Sequence, residues 1–233
     1  MTMPDSLPVP TPWTHELRLR LTHLWLLKAT GTSAFMILFF QGYFFVMAEP
    51  ARTPYVMPEI WLDHWVPLVP WAFWVYASLW VYVSLAPAMM GNFRGLLRFG
   101  AWVGLLCLSC LAVFWAFPTQ VPAMPIDWSQ YPGLSFVKGV DAAGNACPSL
   151  HVASAVFAAY WMHHLLRTMR APRGWLAFNA ACCVAITWST LATHQHVAID
   201  AICGALVGWV FARLSLRAPA LALSPRVRRR LKG

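Results

Sequence analysis

Long apolar stretches, separated by shorter polar segments, are the main pattern of this sequence. A helix that crosses a membrane needs about 20 mostly apolar residues in a row. Six stretches approach that length, and none shows the apolar–polar alternation of barrel strands. The pattern predicts an all-α, polytopic membrane protein, a six-transmembrane-helix bundle with spans over residues 25–47, 68–90, 99–117, 150–168, 175–194 and 197–216.

The segments between the predicted spans are of two kinds. Asn92–Arg98 and Arg167–Arg173 are short and basic, whereas 48–67 and 118–149 are long, rich in Pro and Trp, and carry acidic residues. No internal repeat or second domain is visible. The predicted organisation is an N-terminal segment, one six-span membrane domain and a basic tail, at residues 1–24, 25–217 and 218–233.

Composition supports a membrane protein. Hydrophobic residues make up 59% of the 233 positions and charged residues only 11%, whereas soluble proteins carry about 25% charged residues. So few charges could hardly cover a water-exposed surface. The solvent for most of the chain is therefore expected to be lipid.

The distribution of Lys and Arg predicts the orientation, because cytoplasmic loops carry the excess of basic residues. With both termini in the cytoplasm, only Arg52 and Lys138 of the 17 basic residues fall on the opposite side. The net charge of +9 then reflects topology and contact of the tail with anionic lipid, not nucleic-acid binding. The 15 residues on the cytoplasmic side are Arg18, Arg20, Lys28, Arg94, Arg98, Arg167, Arg170, Arg173, Arg213, Arg217, Arg226, Arg228, Arg229, Arg230 and Lys232.

One acidic residue, Asp200, lies within the predicted spans, where an ionisable group is costly and by default functional. His196 is four residues earlier, so the two side chains share a helical face. A carboxylate in that position can accept a hydrogen bond from one ring nitrogen and leave the other as a nucleophile or base.

The second candidate cluster is Cys147-Pro148-Ser149-Leu150-His151, at the start of the fourth predicted span. Proline suits the first turn of a helix. The free amides after it and the Ser149 hydroxyl could hold a phosphate group. By the predicted topology, His151, His196 and Asp200 all fall at the outer ends of their helices.

These segments resemble the second and third signatures of the type-2 phosphatidic acid phosphatase superfamily. The similarity is carried by Pro148-Ser149-Leu150-His151, and by Ser189-Thr190 followed after five residues by His196 and after three more by Asp200. The PSLH form is most similar to a bacterial branch related to inositol phosphorylceramide synthases. Val66–Trp71 and Asn145 add to the likeness, which covers roughly residues 65–210.

The resemblance implies an enzyme that hydrolyses or transfers the phosphoryl or phospho-head-group of a lipid phosphate, without a metal or other cofactor. His196 would attack phosphorus, and Asp200 would orient the His196 ring. His151 would protonate the leaving oxygen. The phosphate would be held by Ser149, Leu150, Ser189 and Thr190. The implied location is the bacterial inner membrane with the site facing the periplasm; the oligomeric state is left open.

The sequence also departs from the family pattern. The first signature, Lys, six residues, then Arg-Pro, is absent, and Ala123 and Thr190 stand where related sequences carry arginine. Lys138 is the first candidate substitute and Arg52 the second. The substrate could be a phosphodiester, whose negative charge needs less neutralisation than that of a monoester dianion. Alternatively, the activity could be reduced or lost.

Other interpretations remain open. His194 and Asn145 are possible substrate contacts, although His194 could be an ordinary loop residue. His151, His194, His196 and Asp200 could bind zinc. The protein could be a non-catalytic lipid-phosphate-binding scaffold, or a transporter that uses the same residues as a proton relay. The six cysteines, five of them in apolar stretches, are expected to be buried thiols without a metal or redox role.

Overall fold

The computed structural model describes residues 12–135 and 144–217, which are mostly helical. Two short 3₁₀ helices lie in the long connectors, at Asp63–Trp65 and Trp128–Gln130. The α-helices that lie wholly within these residues are α1 (Trp13–Thr22), α2 (Trp25–Ala48), α3 (Ala72–Ala77), α4 (Leu79–Ala88), α5 (Phe93–Ala116), α6 (Leu150–Thr168), α7 (Arg173–Ala192) and α8 (Ala198–Arg217).

Four helices of the described residues, α2, α5, α7 and α8, are long and apolar enough to cross a membrane. The predicted span 150–168 coincides with α6, which has 19 residues. The predicted span 68–90 contains α3 and α4, which meet at Ser78 and together form a shorter apolar helical stretch, Ala72–Ala88. The number of spans and the side of each terminus stay predictions.

Two polar segments contain helix that the apolar pattern did not indicate. The N-terminal segment includes α1, where the Trp13 ring packs 5.5 Å from that of Trp175. Residues 93–98 of the predicted connector Asn92–Arg98 form the start of α5. The Asn92 side chain accepts the Gly95 N–H at 2.7 Å and caps that helix. The basic tail at 218–233 lies outside the described residues.

Two-residue strands join the long connectors, so the all-α prediction is incomplete. Strand β1 (Tyr55–Val56) pairs in parallel with β2 (Thr119–Gln120). Strands this short carry no alternating pattern that the sequence could reveal. Their pairing holds the segment after α2 against the segment after α5, at the same end of the bundle as the start of α6.

Helix α6 packs very closely against α8 because α8 has glycine where the two backbones meet. A methyl group at Gly204 would collide with the main-chain oxygen of Ser149, and one at Gly208 with that of Ala153. Glycines four residues apart lie on one helix face and allow such an approach. The start of α6 is thereby held against the first turns of α8.

Polar groups in the bundle interior are hydrogen-bonded between helices. The Asn179 side chain accepts from the Tyr82 hydroxyl at 2.9 Å and donates to the Ala159 carbonyl at 3.0 Å, which connects α7 with α4 and α6. The Trp161 indole donates to Ser215 at 2.9 Å, which connects α6 with α8. Such bonds satisfy groups that would be costly to bury unpaired.

A buried lysine secures the opposite end of the bundle. The Lys28 ammonium, on α2, donates to the main-chain oxygens of Arg20 at 2.6 Å and Ala88 at 2.9 Å. It thus connects α1 and α2 to the end of α4. Lys28 is also the one residue of α2 that is fully buried, so the rest of that helix forms an outer wall.

We predict that Gly204→Ala lowers the free energy of unfolding by about 1–3 kcal/mol, because the added methyl group forces α8 away from α6. Gly100→Ala is the matched control, since a methyl group at Gly100 meets no atom within 4 Å and alanine favours a helix. Thermal unfolding in detergent tests both. Equal midpoints for the two variants would contradict the proposed role of the contact.

Candidate active site

Ser149 begins α6 and connects it to α8. Its hydroxyl oxygen accepts the Val152 N–H at 3.3 Å, as an N-cap residue does. Its own N–H donates to the main-chain oxygen of Asp200 at 3.0 Å. The preceding Cys147–Pro148 bond is cis. The two candidate motifs, far apart in sequence, are therefore joined directly by a main-chain hydrogen bond.

The turn between α7 and α8 fixes the position of His196. The Thr190 carbonyl accepts the N–H groups of Gln195 at 3.0 Å and His196 at 3.2 Å. His194, with φ of 51°, takes the left-handed conformation and donates its N–H to Leu191 at 2.9 Å. This is the Schellman arrangement that ends many helices. It directs the chain back into α8 immediately after His196.

Asp200 lies beside His196, although His196 precedes the first residue of α8, so the two side chains do not share a helix face and the predicted hydrogen bond between them is not formed. Its Oδ2 atom is 3.6 Å from His196 Nδ1, within ion-pair range but longer than a hydrogen bond. The same oxygen accepts the Val197 N–H at 3.2 Å, and the carboxylate is fully buried. Because Asp200 faces Nδ1, Nε2 is the ring nitrogen of His196 left for chemistry.

Asp63 also stabilises the start of α8, although the sequence gave no specific reason to select it. Its Oδ1 atom accepts the Ala198 N–H at 2.7 Å and its Oδ2 atom accepts the Ile60 N–H at 2.8 Å. A carboxylate at a helix N-terminus is favoured by the helix dipole. Asp63 thus attaches the connector after α2 to the turn that carries His196.

His151 is held from one side by the α3–α4 segment. Its Nε2 atom lies 3.2 Å from the main-chain oxygen of Tyr76, and its ring stacks on the Tyr76 ring at 4.0 Å. The Trp80 ring approaches edge-on at 6.1 Å. The imidazole is almost fully buried, so its orientation is set by these neighbours.

His151 and His196 line the same cavity, which has a volume of about 430 Å³. Asn145, Ser154 and Leu150 lie with them around its polar end. The remainder of the lining is almost entirely aromatic and aliphatic, and comes from α2, the α3–α4 segment and α5. These residues are Phe35, Met36, Phe39, Phe40, Tyr43, Phe44, Tyr76, Leu79, Trp80, Val83 and Cys107.

Asn145 presents a buried polar group in this cavity. Its side chain is 6% exposed, and its Nδ2 atom has no hydrogen-bond partner in the described parts of the chain. Its backbone is left-handed, with φ of 52°, a conformation that asparagine tolerates better than most residues. An unpaired buried amide is costly, so a ligand oxygen in the cavity would satisfy it.

Other predicted site residues do not line the cavity. Ser149, Ser189 and Thr190 are fully buried, and the last two donate their hydroxyls to helix carbonyls at 2.6 and 2.8 Å. Arg52 is exposed and lines neither the cavity nor the crevice behind His196. Lys138 lies outside the described residues. Ser149 and Thr190 instead form main-chain hydrogen bonds that hold the segments carrying the histidines, to Asp200 and to Gln195 and His196 respectively.

His194 faces a separate, smaller crevice. This crevice lies on the other side of His196 and is also lined by Glu59 and Asp63. His196 is therefore the one residue shared by the crevice and the apolar cavity. As a substrate contact, His194 would have to act from the crevice and not from the cavity.

Sequence reasoning did not single out Ser154 or Tyr76. Ser154 follows His151 by three residues, and its hydroxyl donates to the His151 carbonyl at 3.0 Å. That helical spacing was the available signal, because residues three apart share a face. Tyr76 gave none, since its contact with His151 spans 75 positions.

The described lining carries no Lys or Arg, so the polar end offers only neutral donors and imidazoles to an anion. Beside it, burial, with smaller effects from Cys203 and Asp200, raises the pKa of Cys147 to about 12. Its thiol is therefore neutral at physiological pH and a poor competing nucleophile.

Residues 12–135 and 144–217 contain no group of three His, Cys, Asp or Glu side chains placed to bind a metal.

The fold and the site together define a helical protein of membrane type with two histidines at the end of an apolar cavity. A family model of the PAP2 superfamily matches residues 112–222, which include the PSLH segment, His196 and Asp200. The match suggests phosphatase or phosphotransferase activity on phosphate esters. Neither the curated proteins nor the solved structures contain a chain that matches this one.

We predict that Asp63→Ala lowers the free energy of unfolding by about 1–3 kcal/mol, because two main-chain N–H groups lose their acceptor. Glu59→Ala is the control, since Glu59 is an exposed carboxylate four residues away on the same connector. Chemical unfolding in detergent measures both. A loss for Glu59→Ala as large as that for Asp63→Ala would contradict the assigned hydrogen bonds.

Proposed function

We propose that this protein is a membrane lipid phosphatase or phosphotransferase that works through a phospho-histidine intermediate. The observation that carries the proposal is the cavity, which joins two imidazoles at one end to an apolar, largely aromatic lining. A phosphate ester would meet the histidines while its hydrocarbon chain occupies the apolar part. A water-soluble phosphate would leave that part unfilled.

The depth of the cavity fits one lipid leaflet. Its lining on α2 runs from Phe35 to Phe44, which at 1.5 Å per residue is about 13 Å. The hydrocarbon core of a bilayer is about 30 Å thick. A chain entering beside α2 would therefore reach about the bilayer centre, with its phosphate at the membrane surface near His151 and His196.

The chemistry assigned to the site has two steps. His196 Nε2 forms a bond to phosphorus as the bond from phosphorus to the leaving oxygen breaks, and His151 gives that oxygen a proton. Water or an alcohol then loses a proton to His151 and attacks phosphorus, releasing His196. Asp200 stabilises the positive charge on the His196 ring in between.

Charge favours a substrate with a single negative charge at phosphorus. The described cavity lining supplies Asn145 and two imidazoles but no Lys or Arg. A monoester dianion needs more compensation than a phosphodiester does. Phosphoryl oxygens would accept from the Asn145 amide and the α6 amides near Leu150, while Lys138 and Arg52 remain candidates for an additional cation. Ser149, Ser189, Thr190 and His194 would contribute by shaping the site.

The Lys and Arg pattern supports six spans with cytoplasmic termini and the site on the opposite side of the membrane. The proposed location in the bacterial inner membrane, with the site facing the periplasm, rests on the family resemblance. The relation to inositol phosphorylceramide synthase-like enzymes is part of the same proposal. It rests on the PSLH form of the second motif.

We predict that the purified protein releases or transfers phosphate from at least one member of a lipid panel, and that His196→Ala lowers kcat on the order of 10³-fold or more. The panel contains a lipid phosphate, a polyprenyl pyrophosphate and phospholipid diesters. An acid-labile phospho-protein should be trapped with the wild type only. His163→Ala is the control, because His163 is an exposed histidine of α6 outside the cavity.

Two outcomes would reject the enzymatic proposal. Lipid-phosphate binding without turnover or trapping would indicate a non-catalytic scaffold. Ion or proton flux in liposomes that depends on Asp200 but not on His151 would indicate a transporter.

We also predict that Met36→Trp lowers kcat/KM for a long-chain lipid about tenfold, since pocket volume discriminates substrates on this scale. Met36 lines the cavity at its inner end, so the larger ring would shorten the space for the chain. A short-chain analogue should be affected much less. Ile37→Trp is the matched control, because Ile37 is 60% exposed on the outer face of α2. Equal losses for both chain lengths would contradict the assigned tail site.

A further inference from the structure

Four basic side chains from three helices come together at the end of the bundle away from the paired histidines. They are Arg20 on α1, Arg98 on α5, and His164 and Arg167 on α6. The positive charges of the three arginines and of the adjacent histidine act on the His164 ring. His164 lies about 20 Å from His151 along α6, at 1.5 Å per residue. These four residues form the basic cluster.

The Trp161 indole holds two members of the basic cluster in place. The Arg98 guanidinium lies over the Trp161 ring, 5.9 Å from its centroid, within the range of a cation–π contact. The His164 ring meets the same indole edge-on at 6.2 Å. Trp161 is buried and donates its N–H to Ser215 at 2.9 Å, so its position is fixed. A guanidinium over an aromatic face still presents its planar fork of N–H groups to a phosphate.

Arg20 adds a cation from α1. Its Nε atom donates to the Glu16 carboxylate at 2.8 Å, and its side chain is 17% exposed. A guanidinium has five N–H donors, so the bond to Glu16 uses only part of it. Arg20 also lines an open groove of about 420 Å³ between α1 and Gly91, which provides room for a head group.

Positive charge exceeds negative charge at this end of the described structure. Three guanidinium groups meet there, whereas Glu16 is the one carboxylate of the described residues at this end. The other described acidic residues belong to the connectors and the helix start at the histidine end; they are Glu49, Glu59, Asp63, Asp127 and Asp200. Like charges repel more strongly where they are partly withdrawn from water. An anion bound among the arginines would relieve that repulsion.

Helix α1 has the most to gain from such an anion. None of its residues is fully buried, and its contacts with the bundle include the Trp13 ring on Trp175. An anion shared by Arg20 on α1 and Arg98 on α5 would add a charged connection between the two helices.

We propose that the basic cluster binds the phosphodiester head group of an anionic phospholipid. The arginines form charge-assisted hydrogen bonds to the phosphate oxygens, and basic pockets between membrane helices bind anionic lipid head groups in this way. A lipid fits better than a soluble phosphate because apolar side chains are exposed beside the cluster. Leu97 and Leu19, which adjoin two of the arginines, are 39% and 52% exposed. The bound lipid is structural and not a substrate, since the paired histidines lie at the other end of the bundle.

The first test measures thermal unfolding of the full chain in detergent with added lipid. Phosphatidylglycerol, at a concentration well above its Kd, should raise the unfolding midpoint by about 5–10 °C, because it binds the folded protein. Phosphatidylcholine, which carries no net charge, should change the midpoint much less. Equal shifts for the two lipids, or the same shift with inorganic phosphate alone, would overturn the inference.

The second test removes one positive charge at a time. Arg98→Gln and Arg167→Gln should each weaken phosphatidylglycerol binding about tenfold, since charge-assisted hydrogen bonds are lost. Arg213→Gln is the matched control, because Arg213 is an exposed arginine near the C-terminal end of α8, outside the cluster. Arg167 is exposed, so Arg167→Gln tests the inference even if Arg98→Gln does not fold.

Native mass spectrometry of the wild type and the three variants with phosphatidylglycerol gives the affinities. Unchanged affinity in both Arg98→Gln and Arg167→Gln would place the lipid elsewhere, for example in the cavity with the histidines, and reject the basic cluster as its site. Equal losses in all three variants would show only a general attraction between a basic surface and anionic lipid, and would reject it as well. None of these measurements requires turnover, so a protein that turns over no lipid would reject the proposed function alone.

Discussion

The close contact between α6 and α8 is the constraint on which the site depends. Gly204 and Gly208 let the two backbones approach until the Ser149 N–H bonds to the Asp200 carbonyl. That one approach brings the first turn of α6, with His151, beside the first turn of α8, with Asp200 and the preceding His196. In a membrane, where helices gain little from burying apolar surface against one another, such small-residue packing is a main source of association.

Around this contact, the groups that position the histidines are mostly helix ends. Ser149 caps α6, the Thr190 carbonyl and His194 close α7, and Asp63 caps α8. A helix end has main-chain groups without internal partners, so it can be tied to a neighbour at low cost. His151 and His196 therefore lie at hydrogen-bonded helix ends and not on long loops, which favours a preorganised site.

Local spacing predicted the part of this arrangement that local geometry controls. The four-residue interval indicated that Asp200 and His196 lie close together, although His196 precedes α8 and is not on the same helix face, and Pro148-Ser149 indicated the start of α6. Contacts between distant segments had no such signal: Asp63 reaches Ala198 across 135 positions, and Tyr76 reaches His151 across 75. Ser189 and Thr190 matched a family pattern, yet a pattern does not say whether a hydroxyl faces the cavity or its own helix.

The cavity wall and the paired histidines belong to different parts of the chain. The family match covers residues 112–222, whereas α2, α3 and α4, which supply most of the apolar lining, precede it. Helix α2 buries only Lys28 fully, so its cavity-facing side chains can vary without disturbing the α6–α8 contact. The two features can therefore change separately in evolution. Related chains could keep the same pair of histidines while substitutions along α2 adapt the cavity wall to membranes of different hydrocarbon composition.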